Sequence, residues 1–215
     1  SISDDKATVP IPAPPPIVEL TYAITRSNKI SIKGSSYTFH FLRQDNIIYS
    51  SKCKGRKPTK PMPIVKGEEV HLSRAGDFYL IPNKSSTDYE LRRGSVNGPL
   101  LMKSRINRNV YNLMLPRNVG VEIFEEAGIP MTTLTSKKPK MNRNGTFTLH
   151  FHNRFTIPSE KNAIFVNKAL KNNGPDVVSI RKIGKATLEM IADSVIPDYI
   201  VFSIGLTMFT GDFSC

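Results

Sequence analysis

The chain contains no tryptophan, only two cysteines, and only 18 acidic residues against 30 basic ones. Cys53 and Cys215 are too few for a disulfide framework or a four-ligand zinc site. The 215 residues must therefore fold around an ordinary apolar core, for which a hydrophobic content of 39% is sufficient. This use of cysteine is typical of proteins in a reducing, intracellular setting.

A long apolar segment is also missing. The longest stretch near the end without charge or proline, residues 199–211, has 13 residues, whereas a membrane-spanning helix needs roughly 20 apolar ones. Residues 1–9 lack the basic-then-apolar order of a signal peptide. We therefore expect a soluble, cytoplasmic protein.

Catalytic motifs are absent as well. The sequence has no glycine-rich phosphate loop, no G-x-S-x-G elbow and no H-E-x-x-H motif. His150 and His152 would share one face of a strand and could begin a metal site, but no third ligand has a suitable spacing. We expect a non-catalytic protein that needs neither metal nor cofactor.

The basic residues are concentrated in three windows that contain no acid, at residues 46–67, 91–121 and 127–159. These windows hold 17 basic residues in 86 positions, and the other 129 positions hold 13 basic and 18 acidic residues. If the windows meet in space, they form a positive surface that attracts phosphate-rich partners such as anionic lipid or nucleic acid. The alternative is that the basic loops only keep the protein soluble.

Short runs with alternating apolar residues follow one another from residue 18 onward. Period-two spacing of β-branched and aromatic residues between turn residues predicts strands, and their regular succession predicts an antiparallel sandwich or barrel. The proline-rich residues 9–16 predict an extended segment, so we divide the chain into a flexible lead-in, 1–18, and one folded domain, 19–215. The predicted strands are residues 22–24, 30–32, 37–41, 46–49, 77–81, 89–92, 119–124, 146–151, 163–166 and 177–180.

The C-terminal segment has a different pattern. After Pro197, residues 198–209 are apolar on every side if they are helical, with the proline in the first turn where its missing N–H has no cost. Such a helix must be enclosed, and the interior of a closed barrel is suitable for it. We expect Gly205 at a close contact between this helix and the barrel wall. Two adjacent buried strands are the alternative.

Several blocks of the sequence resemble the tubby-like family. Residues 149–156, Leu-His-Phe-His-Asn-Arg-Phe-Thr, continue to Ser159, Lys161 and Asn162, close to the family pattern Leu-x-Phe-x-x-Arg-x-Thr-x-x-Ser-x-Lys-Asn. Residues 72–79, Leu-Ser-Arg-Ala-Gly-Asp-Phe-Tyr, are similar to its Leu-Ser-Arg-x-Gly-(Glu/Asp)-x-Tyr. Further similarities lie at residues 24–26, 52–57, 116–121 and 204–209, and at Cys215.

The resemblance implies a closed antiparallel β-barrel with a buried C-terminal helix through it. It also implies a peripheral membrane adaptor that binds phosphoinositide headgroups, in several members linked to cilia. The family's phosphate ligands, a Lys-x-Arg pair and an upstream Asn, fall on Pro82, Lys84 and Met62 of this sequence. Only one of the three positions therefore keeps a charge.

Five basic residues are candidate phosphoinositide ligands. Lys84 follows from the resemblance and lies among small hydroxyl residues in a turn. Lys103 and Arg105 alternate with a serine, so on a strand they would face one way and could replace the lost ligands. Lys54 and Arg56 could form an electrostatic rim. The alternatives are an ordinary turn for Lys84 and solvated loop charge for the rim.

The sequence thus predicts a non-catalytic phosphoinositide-binding adaptor of the tubby-like type, peripheral at the membrane, with anionic lipid and a protein cargo as partners. One alternative is a protein-binding scaffold that has lost the lipid site. A second is a nucleic-acid-binding protein, which is less favoured because the aromatic residues fall in apparent core strands and leave no stacking platform.

Overall fold

The computed structural model describes residues 17–213, except Lys33 and residues 108–116, and only the backbone of residues 171–173. The prolines of residues 9–16, Pro116 and Cys215 lie outside the described residues. The first strands are β1 (Glu19–Ser31), β2 (Gly34–Arg43), β3 (Asn46–Lys54), β4 (Met62–Lys66), β5 (Phe78–Pro82), β6 (Asp88–Arg93) and β7 (Leu100–Asn107). They are followed by β8 (Asn118–Ile123), β9 (Thr132–Ser136), β10 (Lys140–Met141), β11 (Phe147–Thr148), β12 (Ala163–Asn167), β13 (Asp176–Gly184), β14 (Thr187–Asp193) and the helix α1 (Asp198–Thr210).

Within the described residues, twelve of these strands form a closed antiparallel barrel, as the sequence predicts. The order around the barrel is β1-β14-β13-β12-β9-β8-β7-β6-β5-β4-β3-β2, and β2 pairs with β1 to close it. The short strands β10 and β11 pair only with each other. Because neighbouring barrel strands are antiparallel, successive connections lie alternately at the two ends of the barrel.

The strands alternate between a buried and a more exposed face, because successive side chains in a strand point to opposite faces of the sheet. In β14, for example, Leu188, Met190 and Ala192 are buried, and the residues between them are partly exposed. The inward-facing residues form one core around the barrel axis.

The helix α1 occupies that axis, and residues 200–210 are all buried. Helix and wall are joined by aromatic stacking, since the ring of Phe41 lies 4.7 Å from that of Tyr22 and 5.0 Å from that of Phe202. At the start of the helix, the hydroxyl of Tyr22 donates a hydrogen bond of 2.6 Å to Asp198. The prediction of a helix enclosed by a barrel is confirmed, and the alternative of two strands is wrong.

Most predicted strands are present, with three kinds of difference. The runs at residues 22–24 and 30–32 belong to one long strand, β1, except for Ile32 in the following turn. The strands β4, β7, β9, β10 and β14 are additional. The predicted strand at residues 146–151 is mostly wrong, because only Phe147–Thr148 is a strand and it lies outside the barrel. Phe151 is buried, as the apolar alternation suggests, but it does not belong to a strand.

Gly205 lies where the helix closely approaches the wall. A Cβ atom added to it would be 2.2 Å from Cδ1 of Ile24 and 2.7 Å from Sδ of Met190. Both neighbours are fully buried and have little space to move. The expected close contact is confirmed.

We predict that Gly205→Leu lowers the free energy of unfolding by about 1–3 kcal/mol, because the larger side chain overpacks the interior. The measurement is chemical denaturation followed by circular dichroism. Gly120→Leu is the control, since a Cβ atom there would meet only Nδ2 of Asn107, at 4.0 Å. Equal stability of Gly205→Leu and the parent would show that the contact is not tight.

Candidate anion-binding surface at one end of the barrel

The connections of the barrel divide into two sets with different charge. We call the end at which α1 finishes the basic end, and its described connections between strands include 55–61, 83–87, 137–162 and 185–186. Contacts of the helix terminus agree with this placement, since the backbone N–H of Asp212 donates to the carbonyl of Ser86 at 2.9 Å.

These four connections hold eleven basic residues and one acid, Glu160. Some of the charges are balanced locally: Lys57 lies 2.9 Å from Asp212, and Lys137 lies 2.6 Å from Asp176. A large positive excess remains. The basic residues are Arg56, Lys57, Lys60, Lys84, Lys137, Lys138, Lys140, Arg143, Arg154, Lys161 and Lys185.

The opposite end, which we call the acidic end, has the reverse balance. Its connections are 44–45, 67–77, 94–99, 124–131, 168–175 and 194–197, and they hold six acids and three basic residues. The net charge of the chain is thus distributed unevenly along the barrel axis. The acid-free windows 46–67 and 127–159 both contribute to the basic end, so the positive surface expected from the sequence is present there.

Lys84 is exposed in the turn between β5 and β6 at the basic end. The side chain of Asn83 holds this turn, because its Oδ1 accepts from the backbone N–H of Thr87 at 2.9 Å and its Nδ2 donates to Asp88 at 2.9 Å. The lysine is therefore presented by an ordered turn.

The hydroxyls beside Lys84 make hydrogen bonds within the protein. Ser85 Oγ lies 2.9 Å from Thr87 Oγ1, and buried Ser86 donates to the carbonyl of Pro58 at 2.8 Å. This second hydrogen bond joins the turn of Lys84 to the connection 55–61. Lys84 can therefore attract an anion by its charge, but the neighbouring hydroxyls are already hydrogen-bonded within the protein.

Lys54 and Arg56 are both exposed, at the end of β3 and in the connection that follows. Because Ser86 binds Pro58 in the same connection, Lys54, Arg56 and Lys84 belong to one surface. Three of the five candidate residues are therefore brought together at the basic end.

Lys103 and Arg105 lie on the outer face of β7 in the side wall of the barrel, with Arg105 opposite Asp88 at the edge of the turn of Lys84. Lys103 is 3.6 Å from Glu90, and Nε of Arg105 donates to Asp88 at 2.5 Å. This hydrogen bond and the charge of Asp88 raise the pKa of Arg105. Arg105 is paired with Asp88, and Lys103 shares Glu90 with Arg92, so acids of β6 reduce the positive charge that these two residues add beside the turn of Lys84.

The other two positions that the resemblance connects with phosphate are buried. Pro82 is on the inward face of β5, and Met62 is fully buried on β4. A side chain at either position faces the core in this fold. The attraction of anions must therefore come from the exposed charges around them.

Lys161 is a further basic residue of this surface whose role the sequence does not reveal. Its Nζ donates to the carbonyls of Met208 and Phe209, at 3.0 and 2.8 Å, in the last turn of α1. Desolvation by burial, and then the nearby charges of Arg26 and Arg56, lower its pKa from 10.5 to about 8. A cation at this place satisfies carbonyls that the helix leaves unpaired.

Arg26 adds another cation at the same point. Its guanidinium lies 5.3 Å from the ring centre of Phe209 and 5.6 Å from that of Tyr37, and Nζ of Lys161 lies 5.8 Å from the same Phe209 ring. Arg26 and Lys161 are 135 positions apart in the sequence, and only closure of the barrel brings them together. In the sequence, the one feature that marks both residues is that they lie in blocks that resemble the tubby-like family.

A cleft of about 810 Å³ lies between the connection 137–162 and the barrel wall. Its lining is mainly apolar, with Phe147, Leu149, Phe151 and Phe213 among its members. Arg154 also lines it, 4.0 Å from Glu189.

The two histidines of the same connection form a close pair. The rings of His150 and His152 lie 5.6 Å apart, and Nε2 of His152 is 3.5 Å from Asp176. In the described part of the chain, no three residues of the types that bind metal are grouped together.

None of the helices among the described residues is long and apolar enough to cross a membrane. No protein-family model matches the sequence, and a comparison with curated proteins finds no significant match.

We predict that Lys161 makes stability depend on pH. The folded state releases its proton near pH 8 and the unfolded state near pH 10.5, so the folded state holds fewer protons between these values and stability rises with pH there. Cys53 and Tyr89, whose pKa is raised to about 12 by burial, act in the opposite direction at high pH. The relevant quantity is therefore the difference between the parent and Lys161→Met.

Urea denaturation across this pH range measures that difference. The parent should gain stability relative to Lys161→Met as the pH rises, whereas exposed Lys185→Met should run parallel to the parent. Parallel curves of stability against pH for all three proteins would show that burial does not disfavour the charged form of Lys161.

Proposed function

We propose that this domain is a non-catalytic adaptor that binds anionic, phosphoinositide-containing membranes through the basic end of its barrel. The observation that carries the proposal is the ratio of eleven basic residues to one acid in the connections of that end. The domain is then peripheral at the membrane and orients its acidic end away from the lipid.

The mechanism is electrostatic. Lys54, Arg56 and Lys84 are exposed on one surface, and each basic residue near an anionic membrane contributes about 1 kcal/mol of attraction. A phosphoinositide headgroup concentrates several negative charges in a small volume, so it is preferred to a lipid with a single charge. Because the interaction is screened within about 8 Å at physiological salt, the exposed residues contribute more than those set back in the wall.

The architecture supports a role of the tubby-like kind. A closed barrel around an apolar C-terminal helix is what the resemblance to that family implies. Arg26 and Lys161, which contact the end of the helix, both lie in sequence blocks that resemble the family's motifs. By analogy, the adaptor tethers a protein cargo reversibly to the membrane, with cilia as a candidate destination.

A protein-binding scaffold is the second candidate function, and the burial of Pro82 and Met62 favours it. Those two positions provide no polar side chain at the place where the resemblance expects headgroup ligands. In this case, the basic end would dock an acidic protein segment. Nucleic acid is a third possible polyanion, but Tyr22, Phe39 and Phe41 are buried in the core and cannot stack with bases.

Two double variants with equal loss of charge test the proposal. Arg56→Ala/Lys84→Ala removes two exposed cations from the basic end, and Arg74→Ala/Lys168→Ala removes two from the acidic end. At about 1 kcal/mol per residue, the first variant should bind vesicles with phosphoinositide roughly thirtyfold more weakly than the parent, and the second should bind almost normally. Co-sedimentation with the vesicles at a low and a physiological salt concentration is the measurement.

The pattern across vesicles and variants separates the candidates. Preference for phosphoinositide over phosphatidylserine supports headgroup recognition, and equal binding to both supports charge alone. If the two double variants lose affinity equally, the basic end is not the binding surface. If the parent does not bind any anionic vesicle, the scaffold becomes the better assignment.

A further inference from the structure

The tip of the hairpin of β1 and β2 extends past its neighbouring strands at the rim of the barrel. The strand β1 pairs with β14 only as far as Thr25, but its pairing with β2 continues through Ser31. The six residues 26–31 therefore lie past the end of the β14 ladder. On the other side of the hairpin, β3 stays paired with β2 as far as Ser36, and the backbone N–H of Gly55 donates to the carbonyl of Ser35 at 3.0 Å. The hairpin therefore extends past both neighbouring strands only from Ile30 to the turn.

The tip of this hairpin exposes two large apolar side chains. The exposed fraction is 80% for Ile30 and 109% for Ile32, the two highest values among the exposed large hydrophobic residues of the described chain. Neither residue belongs to the core. Packing therefore does not explain two isoleucines so close together at the end of a polar ribbon.

The hairpin projects from the basic end, because its turn lies at the same end of the barrel as the connections 55–61 and 83–87. Lys54 pairs with Ser36 beside it, and exposed Lys29 precedes the isoleucines. An apolar tip surrounded by cations is the combination that favours the interface of an anionic bilayer. A second copy of the chain does not suit this tip as a partner, because two tips that meet would bring two positively charged ends together.

We infer that Ile30 and Ile32 insert into the interfacial layer of the anionic membrane on which the basic end docks. This inference rests on the proposed function and deepens it, because attraction by charge brings the domain to the surface and the hairpin anchors it there. The two contributions differ in their response to salt: screening weakens attraction between charges, but not the burial of the isoleucines.

The absence of tryptophan from the chain allows insertion to be observed directly. Ile32→Trp places a single fluorescent reporter at the tip. Met131→Trp places one in a connection of the acidic end, at a position that is 59% exposed. Both variants are mixed with phosphatidylcholine vesicles that contain phosphoinositide, prepared with and without brominated acyl chains. The tip reporter should shift to shorter wavelength and be quenched by the brominated chains, and the control reporter should do neither.

The variant Ile30→Ser/Ile32→Ser gives a second measurement on the same vesicles. Without the two isoleucines, affinity should fall about tenfold, and that ratio should persist as salt is raised. If the parent and this variant bind equally and the tip reporter is neither shifted nor quenched, insertion is wrong while membrane docking stands. If the parent does not bind the vesicles at all, both the docking and the insertion are wrong, and the tip becomes a contact for a protein.

Discussion

The structure depends on the need to enclose a helix that is buried on every side. Residues 200–210 of α1 are all buried, and a helix of this kind cannot rest on the surface of a sheet, where half of it would meet water. A closed barrel surrounds it with a mainly apolar wall. Two hydroxyls of that wall meet hydroxyls of the helix, Ser104 at Thr207 and Tyr89 at Thr210. The close approach of Gly205 to Ile24 and Met190 shows how little space remains between the helix and that wall.

The direction of the helix makes the two ends of the barrel chemically different. At its C-terminal end, the unpaired carbonyls of Met208 and Phe209 accept hydrogen bonds from Lys161, and Arg26 lies over the ring of Phe209. Cations are favoured beside a helix C-terminus, so part of the positive charge at the basic end stabilises the fold. The more exposed cations, such as Arg56 and Lys84, remain directed at solvent and can meet an anionic partner.

Much of the fold could be predicted from the sequence, because alternation within strands and the apolar C-terminal segment are local signals. β4 was missed because all of Met62, Pro63 and Ile64 are buried, so the strand shows no alternation. The site was less predictable. The charge of Lys103 and Arg105 is visible in the sequence, but their partners on β6 are set by strand register, and the meeting of Arg26 with Lys161 depends on closure of the barrel.

Hydrogen–deuterium exchange in the presence of anionic vesicles tests the central claim most directly, because it reports which end of the barrel faces the lipid. With phosphoinositide in the vesicles, amide protection should increase in the connections 55–61 and 83–87 and in the tip of the β1–β2 hairpin. The connections 67–77 and 124–131 of the acidic end should exchange as they do in solution. Protection at the acidic end, or protection spread evenly over both ends, would contradict the account.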